Sequence, residues 1–206
     1  MSKIKLCGLS RPCDITAANK LLPDYIGFVF ARESKRFISR AAALELKSML
    51  DPVILAVGVY VNEAVELVAE DLNRGLIDLA QLHGNEDEEY IRTLQSLAGG
   101  RQIIRAFRIR SEEDVRKADS SIADHILLDS GTGSGNRFNW EYLKDVHRPY
   151  FLAGGLDPEN VGKAVSTLHP MCVDVSSGIE TDGKKDIDKM LRFVMAVRLC
   201  QETDQT

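Results

Sequence analysis

The chain has 206 residues, of which 44% are hydrophobic and 28% charged, and its formal net charge is −5 at pH 7. That composition describes a globular chain long enough to bury a full core and excludes disorder for all but the last few residues. The negative balance argues against nucleic acid or an anionic membrane surface as a partner, because both reward basic proteins, but it leaves room for a small anion held by local donors.

The longest apolar run, residues 53–61, falls far short of the roughly 20 residues a membrane span needs. Lys3 and Lys5 interrupt the few apolar residues at the N-terminus, so a secretory leader is not expected. Cys7, Cys13, Cys172 and Cys200 form no CxxC pair and show no metal-ligand spacing, which predicts free thiols, a cytoplasmic location and no metal site.

Strand candidates occupy residues 4–6, 25–30, 53–61, 77–82, 102–107, 125–128, 150–153 and 172–175. Amphipathic stretches lie between them, such as Val65/Val68/Ala69/Leu72, Val161/Ala164/Val165/Leu168 and Ile187/Met190/Leu191/Val194. Strand followed by helix, repeated, argues for a parallel sheet. Helix starts are expected where Asn85 precedes Glu86, where Ser111 precedes Glu112, and at Asp157-Pro158. A recurrence of about 25 residues also invites a solenoid, but leucine-rich and tetratricopeptide signatures are absent. The expected fold is a single-domain α/β (β/α)8 TIM barrel over residues 1–200 with a disordered tail at 201–206. An open doubly wound sheet is the alternative.

Several strands end on polar residues beside glycine: Cys7-Gly8, His83-Gly84, Leu128-Asp129-Ser130 before Gly131, Gly154-Gly155 and Ser177-Gly178. In parallel α/β proteins such strand tips gather at one mouth, where the chemistry sits. The glycines at 131, 133 and 135 imitate a dinucleotide fingerprint, yet the third comes one residue early and no strand-end acid follows at the usual distance, so no nicotinamide cofactor is expected. Gly154-Gly155 and Ser177-Gly178 follow the last two strands, where barrels often hold a phosphate on backbone amides; two such turns on consecutive units favour a phosphate site over mere tight turns.

Each polar tip also has a structural and a chemical reading. Cys7 in isolation is a small buried hydrophobe, but at a strand tip with Arg11 nearby its thiol is a candidate for partial ionisation. Asp129 is either a loop cap or a carboxyl whose pKa burial raises, suiting it to donate a proton. His83 suits a loop hydrogen bond. Asp174 alternates with Val173 and Val175, so one of its two possible directions is the barrel lumen.

Taken together, Lys5-Leu6-Cys7-Gly8-Leu9, Gly27-Phe28-Val29-Phe30 with Ser34-Lys35-Arg36, Gln81-Leu82-His83-Gly84, Leu128-Asp129-Ser130, Phe138-Asn139-Trp140, Leu152-Ala153-Gly154-Gly155-Leu156 with Asn160, and residues 173–180 resemble the phosphoribosylanthranilate isomerase family of tryptophan biosynthesis. The resemblance runs from Lys3 to about Arg198 and implies an Amadori rearrangement of a phosphoribosyl-anthranilate without metal or organic cofactor. It implies Cys7 as general base, Asp129 as general acid and Arg36 as a substrate-binding guanidinium. His83 and Asp174 fall at motif positions and are expected to bind substrate. The phosphate cradle carries over to Gly154, Gly155, Ser177 and Gly178, with Gly133 a weaker candidate.

The expected partner is a small phosphosugar, with no nucleic acid or membrane, and the expected assembly is a monomer or homodimer. Two rivals remain: a non-catalytic phosphosugar-binding module on the same barrel, and the ProFAR isomerase of histidine biosynthesis, which performs the same rearrangement with an aspartate where this chain has Cys7. Strand 5 ending in Phe107-Arg108 also favours the anthranilate substrate.

Overall fold

The computed structural model describes residues 1–129, 142–143 and 146–203, with the side chains of 201–203 left aside. Eight parallel strands form a closed barrel in chain order. They are β1 (Lys3–Cys7), β2 (Tyr25–Val29), β3 (Leu55–Tyr60), β4 (Leu79–Leu82), β5 (Ile103–Arg108), β6 (His125–Asp129), β7 (Tyr150–Ala153) and β8 (Cys172–Val175). The helices are α1 (Pro12–Leu21), α2 (Arg40–Ser48), α3 (Val65–Asn73), α4 (Glu88–Leu97), α5 (Glu112–Asp119), α6 (Val161–Leu168) and α7 (Ile187–Thr203). Closure by β8 on β1 pairs Lys5 with Asp174 in register, and this eliminates the open-sheet alternative.

Most strands are buried on both faces, which is why they appear as short, nearly continuous apolar runs; β5 departs from this toward its end at residues 105–108. Their outer faces and the helices share one large cluster that includes Leu6, Phe28, Ile77, Ile126 and Phe193. The inner faces make a second cluster from Tyr25, Val57, Leu79, Ile104, Leu127, Phe151, Ala153 and Cys172, so the lumen is filled with side chains. Above this layer, Cys7, Val29 and Val59 form a small group at the C-terminal ends of adjacent strands. It is the apolar part of the site's floor.

Local signals explain most helix boundaries, with three corrections. Ser111 caps α5 in a capping box with Asp114, as its sequence indicates. Near Asn85, however, the cap of α4 is Asp87, whose side chain accepts from the Tyr90 amide, while Asn85 donates its own amide to Asn62. Asp157 accepts from the amides of Glu159 and Asn160 and so closes a turn ahead of the helix; α6 begins only at Val161. The last helix continues to Thr203, beyond the boundary expected for a tail, because its buried face carries Met190, Phe193, Val194 and Val197 against the barrel. The glycine-rich stretch 131–135, Ser130, and Phe138-Asn139-Trp140 lie outside the described residues.

One element has no counterpart in the strand pattern. Between β8 and α7 a short 3-10 turn, Ser177–Ile179, leads into the antiparallel pair β9 (Glu180–Thr181) and β10 (Lys184–Lys185). Its connecting residues Asp182 and Gly183 both have positive φ, 51° and 73°, the backbone of a tight two-residue hairpin. The hairpin sets Glu180 and Lys185 beside the barrel mouth.

Candidate active site

At the C-terminal ends of the strands a cavity of about 430 Å³ is lined by side chains from all of β1 to β8 and the loops that follow them. Cys7, Arg36, His83, Asp129, Gly154, Gly155, Asp174 and Ser177 all border it, so eight of the nine residues expected from the sequence converge. Gly178 stands apart from that lining. A Cβ there would come within 1.9 Å of the Leu156 carbonyl oxygen, so this glycine lets the β8 loop rest on the β7 loop.

Cys7 is 7% exposed and lies over Gly27, where a Cβ would come 2.6 Å from its sulfur. Burial pushes the thiol up from its ordinary pKa, with the positive charges of Lys5 and Lys185 acting against it. This corrects the expectation built on Arg11, whose guanidinium is spent on Asp14 at 2.6 Å and on the Lys185 carbonyl. The cations that reach the thiol come from inside the lumen and from the hairpin.

Across the mouth, His83 Nε2 is 3.4 Å from Asp129 Oδ2, and His83 Nδ1 is 3.0 Å from Gln81 Nε2. With Gln81 donating, Nδ1 is the acceptor and a neutral His83 presents its Nε2–H to Asp129. A carboxylate formed on Asp129 would thus meet a donor already in place. Asp129 retains 21% side-chain exposure, enough to face a ligand in the cavity.

Arg36 grips Glu180 through Nε at 2.6 Å and Nη2 at 2.7 Å. The bidentate pair fixes the guanidinium plane and raises its pKa further, while Nη1 has no hydrogen bond to the described residues. Lys185 Nζ also reaches Glu180, at 2.6 Å, and donates to the Ser176 carbonyl at 2.9 Å. Burial alone would raise Glu180, but the hydrogen bonds from Arg36 and Lys185 hold it below the ordinary carboxylate range. For Lys185 burial prevails and lowers the ammonium despite Glu180. Lys5 Nζ meets Asp174 Oδ2 at 2.9 Å inside the lumen.

Lys5, Gln81, Glu180 and Lys185 were not singled out from the sequence. Lys5, Gln81 and Glu180 lie inside the motif blocks that carry the resemblance but were given no role there, and the hairpin has a local signal in Asp182-Gly183. The two cavity-lining glycines of the β7 loop have positive φ, 91° at Gly154 and 64° at Gly155. The amides of Gly154, Gly155 and Ser177 have no acceptor among the described residues. Among those residues no group of three or more His, Cys, Asp or Glu side chains is arranged to hold a metal, and no helix is long and apolar enough to cross a membrane. All four cysteines are free.

The family model for N-(5'-phosphoribosyl)anthranilate (PRA) isomerase matches residues 4–196. The chain belongs to this family. It is 44% identical over 208 residues to the N-(5'-phosphoribosyl)anthranilate isomerase of Thermoanaerobacter sp. (strain X514), covering 96% of this chain and 98% of that one. A solved structure of monomers made from the dimeric phosphoribosylanthranilate isomerase of Thermotoga maritima superposes with a TM-score of 0.85 at 35% identity, covering 96% and 99% of the two chains. Another, a phosphoribosyl anthranilate isomerase in complex with reduced 1-(o-carboxyphenylamino)-1-deoxyribulose 5-phosphate, gives 0.84 at 34% identity with the same coverage. Family membership agrees with the closed eight-stranded barrel, whose strand ends bring Cys7, Arg36, His83, Asp129 and Asp174 to one cavity.

Proposed function

We propose that the chain isomerises N-(5-phosphoribosyl)anthranilate to 1-(2-carboxyphenylamino)-1-deoxyribulose 5-phosphate, a step of tryptophan biosynthesis, in the cytoplasm and without metal or organic cofactor. The observation that carries the proposal is the placement of Cys7 and Asp129 on one cavity at the C-terminal ends of β1 and β6. The substrate needs an acid and a base on opposite sides of its reacting carbons, and the barrel supplies one of each.

Asp129, protonated, gives its proton to the furanose ring oxygen. The C1–O bond breaks, the nitrogen lone pair forms the C1=N bond of a Schiff base, and the departing oxygen becomes a hydroxyl. The Asp129 carboxylate left behind receives the Nε2–H of His83. Cys7 as thiolate then removes the C2 proton, the C2–H pair forms C1=C2, and the iminium nitrogen is neutralised to an enolamine. Tautomerisation to the ketone completes the rearrangement.

Arg36 is proposed to turn its Nη1 side toward the anthranilate carboxylate, with Glu180 fixing the plane from the other edge. The amides of Gly154, Gly155 and Ser177 hold the phosphate, and Gly178 keeps the two loops close. The protein is proposed to act as a monomer or homodimer on this small substrate, with no nucleic-acid or membrane partner.

Substitution tests the assignment of the chemistry. Cys7→Ala and Asp129→Asn should each lower kcat by about 10² to 10⁴-fold while leaving circular dichroism unchanged. A folded variant of either kind with near-normal kcat would remove that residue from the reaction.

A further inference from the structure

The lumen holds a charged pair that the proposed chemistry does not use directly. Lys5 is fully buried and Asp174 is 8% exposed, and they meet at 2.9 Å across the seam where β8 closes on β1. An ion pair taken out of water is costly to form and is no general source of stability. An apolar pair would fill the same slot, as Tyr25, Val57 and Phe151 do in the layer around it. The pair therefore needs a reason connected with its neighbours.

Its neighbour is Cys7. Lys5 and Cys7 are two residues apart on β1, so both side chains project to the same inner face. Asp174 uses only Oδ2 on Lys5; its Oδ1 is buried and has no hydrogen-bond partner. Lys5 Nζ has three donors and, among the described residues, spends one of them on Asp174. Lys5 also interacts with the Cys7 thiol, and it does so more strongly than Asp174, which acts with the opposite sign.

We infer that Lys5 is a positioning residue for the reaction: its ammonium, held in the lumen by Asp174, stabilises Cys7 as the thiolate that removes the C2 proton. A buried thiol without a counter-charge would stay protonated over the working pH range. The cation must also be kept in place without quenching its field. A single carboxylate beside it, bonded through one oxygen, anchors the ammonium and leaves it able to serve a second anion. The inference rests on the proposed role of Cys7 as base.

The charged groups that face the thiol are Lys5 from β1, Asp174 from β8, Arg36 from the loop after β2, and Lys185 from β10. Gly27 and Val29 of β2 and Val59 of β3 face it without charge. Glu180 shares its single charge between Arg36 and Lys185, and of the cations acting on the thiol Lys5 has the larger effect, ahead of Lys185. Lys5 is consequently the cation whose removal should be felt most.

The test is the pH midpoint of Cys7 alkylation by iodoacetamide, followed on the Cys7 peptide by mass spectrometry so that Cys13 and Cys200 do not contribute. Three variants give a pattern of signs. Lys5→Met should raise the midpoint by about one unit or more. Asp174→Asn, which removes the opposing charge, should lower it. Lys5→Met combined with Asp174→Asn restores neutrality and apolar volume, and should lie above wild type but below Lys5→Met.

If the single Lys5 variant fails to fold, Asp174→Asn and the double variant still give the predicted pair of opposite shifts. In steady state Lys5→Met should lower kcat about tenfold or more with KM little changed. Equal midpoints in all variants, or shifts of one sign in Asp174→Asn and the double variant, would overturn the inference. Retention of kcat by Cys7→Ala, with the sign pattern intact, would instead remove Cys7 as the base while leaving the electrostatic relation standing.

Discussion

As the proposed base Cys7 is awkwardly placed, because its burial in the cavity floor raises its pKa. When the base titrates above the acid, the reactive form, with thiolate and carboxylic acid together, is a small and constant fraction between the two pKa values. The rate then rises with pH through the lower value and falls through the upper one. The basic limb of kcat should therefore report Cys7 and lie above the ordinary thiol value, while the acidic limb should report Asp129. A pH profile of the residual rate checks this: Asp129→Asn, needing only the thiolate, should keep a single rise through the Cys7 value, and Cys7→Ala, needing only the carboxylic acid, should keep a single fall. Both limbs surviving both substitutions would mean that other groups titrate.

At the scale of elements, the hairpin after β8 and the glycine loop after β7 shape the mouth. Glu180 has a lowered pKa when folded, so its ion pairs contribute stability above the ordinary carboxylate pKa, and that contribution is lost as pH falls through the folded value. Glu180→Gln should accordingly melt below wild type at pH 7, with the gap narrowing below about pH 4. Thermal unfolding at both pH values measures it; a gap that does not change with pH would detach Glu180 from Arg36 and Lys185.

Gly155 has φ of 64°, a conformation a β-branched residue adopts only with strain. Gly155→Val should raise KM more than it lowers kcat and weaken inhibition by inorganic phosphate, because the phosphate lies away from the reacting carbons. Unchanged KM and unchanged phosphate inhibition would leave that loop an ordinary turn. The hairpin was recognisable only as Asp182-Gly183, since its strands have two residues each. Period-two alternation cannot show itself over so short a span.

Over the whole molecule, the barrel was legible because most strands are buried on both faces and, among the described residues, strands alternate with helices. All eight strand positions follow from that, with ends shifted by a few residues as at β3 and β4. The candidate site was legible where strand tips carry polar residues beside glycine, as at Cys7, His83 and Asp129. What sequence order could not show is pairing across the closed barrel. Lys5 and Asp174 are 169 residues apart, and Arg36 and Glu180 are 144 apart, so neither partner marks the other locally. The source of charge at Cys7 was assigned to nearby Arg11 for the same reason, although Asp14 three residues on already held it.

Rearrangement of a phosphoribosyl-anthranilate by this barrel is open to direct assay. Anthranilate-ribotide fluorescence, followed after adding the purified chain and compared with a ProFAR isomerase assay at equal enzyme, tests it most directly. Rapid loss of fluorescence is expected with the anthranilate substrate, slowed by about 10² to 10⁴-fold in Cys7→Ala, with much slower turnover of ProFAR. Turnover of ProFAR alone would contradict the substrate, and turnover of neither by the folded chain would contradict the reaction.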